Sequence, residues 1–190
     1  MSEDHKKQLE QQLWNIADTL RGRMNADEFR DYILGFIFYK YLSEKMELYA
    51  DSILKTDSVT YKEIQENTDK GKEYIDAVRD AALEKLGYFL KPSELFSEVA
   101  KRGNGNSEEE DEEEVSNFIL KDLQDILVNI QNSTMGTDSE EDFDNLFEDM
   151  DLNSTKLGKT SEARNAIIAK VLAHLNKIDF RLKDTEIDIY

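Results

Sequence analysis

The chain has 190 residues, with 42 Asp and Glu against 24 Lys and Arg, a formal net charge of −18 that argues against gripping nucleic acid through an overall positive field. It has no cysteine, which excludes disulfides, thiolate metal sites and a cysteine nucleophile. Hydrophobic residues make up 39%, more than a wholly disordered acidic chain carries, so a folded domain with a true core is expected. Only one proline, Pro92, and eight glycines punctuate the sequence. That is too few for the dense turns of a sandwich or barrel, and an all-α, multi-helix bundle is the expected fold.

In chain order, Leu9, Leu13, Ile16, Ala17 and Leu20 recur at helical spacing, predicting a first helix over about 4–20 with Gly22 as its stop. Asn25 followed by Glu28 forms a capping-box pattern and opens a second helix over about 26–49. Its middle, Tyr32 to Leu42, is apolar nearly all round, as in a helix packed on several sides. Gly35 within it costs about 1 kcal/mol relative to alanine, which implies a packing reason, taken as the close approach of another helix. Residues 50–67 read as a short helix or an irregular connection.

Tyr74, Ala77, Val78, Ala81, Ala82 and Leu86 mark a helix over about 69–86, with Gly87 at its left-handed end. Pro92-Ser93 opens a short helix that carries Leu95, Phe96 and Val99 and stops before Gly103. The glycine- and asparagine-rich stretch that follows, with the acidic run Glu108 to Glu114, predicts a disordered loop over about 103–115. Phe118, Ile119, Leu123, Ile126, Leu127 and Ile130 predict a helix over about 116–132. Asp138 to Asp151 is acidic too, but carries Phe143, Leu146, Phe147 and Met150 at helical spacing and is expected to be ordered. Ser161 is placed to cap a last helix lined by Ile167, Ile168, Val171, Leu172 and Leu175, and the tail ending in Ile187-Asp-Ile-Tyr190 completes no visible element.

The chemistry is mostly exclusion. His5 and His174 lie far apart in sequence with no metal-ligand spacing, and no Gly-x-Ser-x-Gly or Walker lysine motif is present. Asp149, Asp151 and Asn153 copy the start of a calcium loop, but Ser154 stands where the turn glycine belongs and Thr160 where the bidentate glutamate belongs. Catalytic, cofactor-binding and metal-ligating residues are therefore expected to be absent. Met1 to Gln12 lacks the apolar core of a secretory signal, and Tyr32 to Leu42 is about half a membrane span, so a cytoplasmic protein with no membrane contact is expected. Arg21, Arg23 and Arg30 gather where the first helix turns into the second. They read either as surface salt bridges or, together with Lys40 and Lys45, as candidate contacts to DNA or to another subunit.

Longer strings carry a resemblance. Leu13-Trp-Asn-Ile-Ala-Asp-Thr-Leu-Arg-Gly22, the run from Asp27 to Lys45, Ser93-Glu-Leu-Phe96 and the run from Asp142 to Gly158 resemble the N-terminal helical domain of the modification subunit of type I DNA restriction-modification systems. The resemblance covers about residues 8–182 and implies a domain over 1–182, with 183–190 beginning a linker to an absent catalytic domain. It implies a parent subunit that methylates adenine N6 in DNA with S-adenosylmethionine. Its implied partners are a specificity subunit, a second modification subunit and restriction subunits, with DNA met through the complex. Such a methyltransferase needs an Asn-Pro-Pro-aromatic motif to hold the extruded base. Pro92 followed by Ser93 cannot supply it, so this chain is expected to be an inactive assembly and clamp domain without a cofactor of its own. The alternative is a free-standing acidic helical module, a binder of basic partners or a DNA mimic. A mimic spreads its carboxylates over a long face. Here seven and eight of the acids sit in 108–114 and 138–151, which hold no base, leaving 27 acids against 24 bases elsewhere.

Overall fold

The computed structural model describes residues 3–104, 118–136, 140–143 and 146–178, and among them there are helices and turns but no strand. The helices are α1 (Glu3–Leu20), α2 (Ala26–Leu54), α3 (Asp69–Leu86), α4 (Phe96–Gly103), α5 (Leu120–Ser133), α6 (Glu140–Phe143) and α7 (Ser161–Asn176). Helix α7 packs on α1 and α4 and also meets α5, while α2 meets α3, α4 and α7. The all-α bundle is thus organised around α2 and α7, whose buried faces hold Phe36, Tyr39, Leu42 and Met46 on one and Ile168, Val171, Leu172 and Leu175 on the other.

Local chemistry sets most helix ends. Gly22 and Gly87 adopt φ of 76° and 78°, values a side chain resists, and close α1 and α3. Asn25 accepts from the Glu28 amide while the Glu28 carboxylate accepts from the Asn25 amide, the predicted capping box. Helix α2 outruns its expected end at Tyr49 because the buried stripe continues at four-residue steps through Met46, Ala50 and Leu54. A 3-10 turn at Lys55–Asp57 then ends on Ser58 with φ of 55°.

Several expectations are corrected. The segment after Pro92 is not one helix: a 3-10 turn at Pro92–Glu94 is separated from α4 by extended Leu95. The break lets the Phe96 amide donate to Ser43 Oγ at 2.7 Å, while Glu94 folds back to accept from the Lys91 amide. Gly103 is the last residue of α4 rather than the start of a loop. Helix α5 starts at Leu120, and its free amides at Ile119 and Leu120 donate to Asn165 Oδ1 of α7, so its cap comes from another helix. Thr160, not Ser161, caps α7, its Oγ1 accepting from the Ala163 amide. Among the described residues of 138–151, the helical spacing yields the four residues of α6, and Leu146 to Asp149 form turns. Gly35 does make room for a close approach, but for Met150 of that turn segment and not for a helix: a Cβ there would lie 1.8 Å from Met150 Sδ. The acidic run 108–114 and the tail from residue 179 lie outside the described residues.

Candidate interaction surfaces

The α1–α2 turn presents the arginine cluster. Arg21 pairs with Asp18 at 2.7 Å, and Arg30 with Asp31 at 3.1 Å and Asp27 at 3.4 Å. Such exposed pairs contribute at most about 1 kcal/mol each. Arg23 does something different: its guanidinium donates to the Leu157 carbonyl at 3.2 Å and ties the turn segment after α6 to the α1–α2 corner. Glu28 completes the tie by accepting from Lys156 Nζ, and that bond, with the Asn25 amide, holds its carboxyl below the ordinary carboxylate range.

Lys40 differs from the arginines in being buried, whereas Lys45 is exposed. Lys40 is 3% exposed, paired with Glu44 one turn on, its ammonium 5.2 Å from the centre of the Phe96 ring. It lines a cleft of about 150 Å³ with Glu44, Glu47, Lys62 and Ser97. The charges there compensate one another, because Lys62 stands 3.9 Å from Glu47. Lys45 is exposed and lies 6.0 Å above the Tyr41 ring. Beside it runs a stripe that the all-round apolar pattern hid: Leu34, Tyr41 and Leu48, seven residues apart and so on one face of α2, are 55%, 42% and 43% exposed. The rest of the aromatic run is core, with Tyr32, Phe36 and Tyr39 buried.

Among the described residues no group of His, Asp and Glu is placed to hold a metal ion. Asp151 instead accepts from the Asn153 amide at 2.9 Å, an ordinary turn. His174 Nδ1 lies 3.3 Å from Gln12 Oε1, and burial, then the nearby Lys177, holds its pKa below the usual histidine value. No helix among the described residues is long and apolar enough to cross a membrane.

The described residues define a cysteine-free, all-α helical domain. The family model of the HsdM N-terminal domain matches residues 9–175, and the chain belongs to that family. It is 32% identical over 178 residues to the type I restriction enzyme MpnII methylase subunit of Mycoplasma pneumoniae, covering 93% of this chain and 31% of that protein. Its fold is similar to the crystal structure of the type I restriction-modification system methyltransferase subunit from Streptococcus thermophilus, with a TM-score of 0.68 and 31% identity over 89% of this chain and 33% of the other. The chain thus spans about a third of the length of these relatives.

Proposed function

We propose that this chain is the assembly and clamp domain, over about residues 1–182, of a cytoplasmic type I methylase subunit. In this reading the whole subunit transfers a methyl group from S-adenosylmethionine to adenine N6 in DNA. The domain holds it to a specificity subunit, a second methylase subunit and the restriction subunits. The observation that carries the reading is the family match over residues 9–175 in a sequence whose single proline, Pro92, cannot form the Asn-Pro-Pro-aromatic turn. Arg21, Arg23, Arg30 and Lys45 are the candidate contacts that lie at the surface. Arg23 also acts within the fold through its bond to Leu157, and Lys40 through its buried pair with Glu44.

The test is deletion of residues 1–182 from the full-length methylase subunit, read by co-purification with the specificity subunit and by S-adenosylmethionine binding. Donor binding is expected to persist while the multisubunit complex and DNA methylation are lost. A complex that forms and methylates normally without the domain overturns the proposal, as does tight donor binding by the 190-residue chain alone.

A further inference from the structure

Helix α5 and the turns at 147–153 do not close against each other completely. Between them runs a groove of about 370 Å³ whose walls include Leu127, Val128, Phe147, Met150 and Leu152. Leu127, Phe147, Met150 and Leu152 are nearly buried and form a fixed floor, whereas Val128, at 52% exposed, stands on the rim. A groove of this size accepts one or two large apolar side chains. Its polar rim has one sign: Glu148 and Asp151 line it, and Asp125 and Asp149 are exposed beside them. No lysine or arginine is among the lining residues: Lys156 bonds Glu28, and Lys121 stands in the first turn of α5, a turn before Gln124.

We infer that this groove docks a protein segment carrying an apolar anchor flanked by lysine or arginine. The local rim and the net charge of −18 favour the same partner, so steering and docking agree. Nucleic acid is a poor occupant, because its phosphates would face Glu148, Asp149 and Asp151. A second copy of the chain is equally poor: a two-fold contact through this patch sets acidic rim against acidic rim. The exposed stripe of Leu34, Tyr41 and Leu48 differs in carrying Lys45, so it does not select for a basic segment. The inference rests on the assembly reading only in taking the occupant to be a protein.

The probe is a labelled synthetic amphipathic helix of leucine, alanine and lysine, titrated into the 190-residue chain by fluorescence anisotropy and mapped by amide chemical shifts. Saturable binding is expected, with shifts confined to α5 and residues 146–153. Val128→Glu and, separately, Glu148→Lys should each weaken it about tenfold or more, as loss of an anchor contact or of a facing charge does. The same peptide with glutamate for lysine should not bind. Asp76→Lys with Asp80→Lys, exposed on α3, should leave the affinity unchanged, and circular dichroism verifies that every variant folds. Absence of binding, equal weakening by the α3 variants, or shifts on the Leu34 to Leu48 face overturns the inference. If the groove variants leave subunit co-purification intact, the groove fails alone; if the deletion leaves the complex intact, the assembly reading fails while the peptide result stands.

Discussion

Helix α2 holds two of its neighbours in opposite ways. Toward residues 61 and 88–96 it is joined by pegs, polar atoms of large or buried side chains that bond the facing backbone. Tyr39 donates to the Glu94 carbonyl at 2.6 Å, Tyr88 to the Leu42 carbonyl at 2.8 Å, and Ser43 accepts from the Phe96 amide. Tyr61, itself fully buried, locks the same loop by donating to the Leu90 carbonyl at 2.7 Å. Toward residues 146–158 it offers a notch instead, the missing side chain at Gly35 that Met150 fills, with Tyr32 and Arg23 bonding the Asp151 and Leu157 carbonyls at the edges. The tyrosine pegs bury both a ring and a satisfied hydrogen bond, so the contact is lost only with the core. A notch filled by one flexible methionine holds a segment of turns with no helix of its own, whose other buried apolar side chains are Phe147, Leu152 and Leu157. The pegged side is therefore expected to unfold with the whole domain and the notched side to open by itself.

Phe96→Ala tests the pegged side most severely. The ring is fully buried, 5.2 Å from Tyr39 and beneath the Lys40 ammonium, and its loss should cost about 3–5 kcal/mol in denaturant unfolding with the transition still single. Met150→Ala should cost less, about 2 kcal/mol, because the site lies at the edge of the core and the notch can partly collapse. Its signature is local: proteolysis should speed up within 140–158 while helical content is retained. A loss as large as that of Phe96→Ala, with helix melting throughout, would break the distinction.

Tyr39→Phe sharpens it, removing one peg's hydrogen bond and leaving the Glu94 carbonyl without its donor, at about 1 kcal/mol; Tyr32→Phe, at the notch edge, should cost less. The same phenols set an alkaline limit. Burial first, then nearby carboxylates such as Glu94, pushes the Tyr39 phenol up, burial does the same to Tyr61 and Tyr88, and Tyr32 is pushed up to about 12. The unfolded chain releases these protons near pH 10 while the folded chain keeps them. Stability is then full below about pH 10 and falls as the pH rises through 12 and beyond, with tyrosinate absorbance appearing together with unfolding.

The two sides also differ in how far the sequence betrayed them. Apolar periodicity and end signals located α1, α3 and the start of α2, because those rest on neighbours within a turn: Asn25 with Glu28, or Gly87 where φ must be positive. The pegs were invisible, since a buried tyrosine and a surface tyrosine look alike until the carbonyl it meets is known, and Asn165 capping α5 spans 46 residues. Phe143, Leu146, Phe147 and Met150 satisfied a helical spacing, yet what placed Phe147 and Met150 in the core was the space beside Gly35 and α5, not a helix of their own. Among the candidate contacts the sequence located the arginine corner and its surface pairs. It could not show that Lys40 lies inside with Glu44 or that Arg23 reaches Leu157, because charge alone does not distinguish a solvated cation from an internal tie.

The smallest expected effect falls where the notched segment hands the chain back to α7. Thr160 takes the extended conformation of a cap, and its Oγ1 accepts from the Ala163 amide at 3.2 Å, whereas Ser161 is already the first helical residue. Thr160→Ala should therefore cost about 1 kcal/mol and Ser161→Ala under about 0.5 kcal/mol, measured as shifts in the denaturant midpoint. Because α7 packs on α1 and α4, the loss at Thr160 should register in the global transition rather than in local proteolysis, although the residue borders the notched segment. If Thr160→Ala instead only accelerates cleavage within 140–158, the boundary between the two sides lies inside α7, and its first turn belongs to the segment that opens.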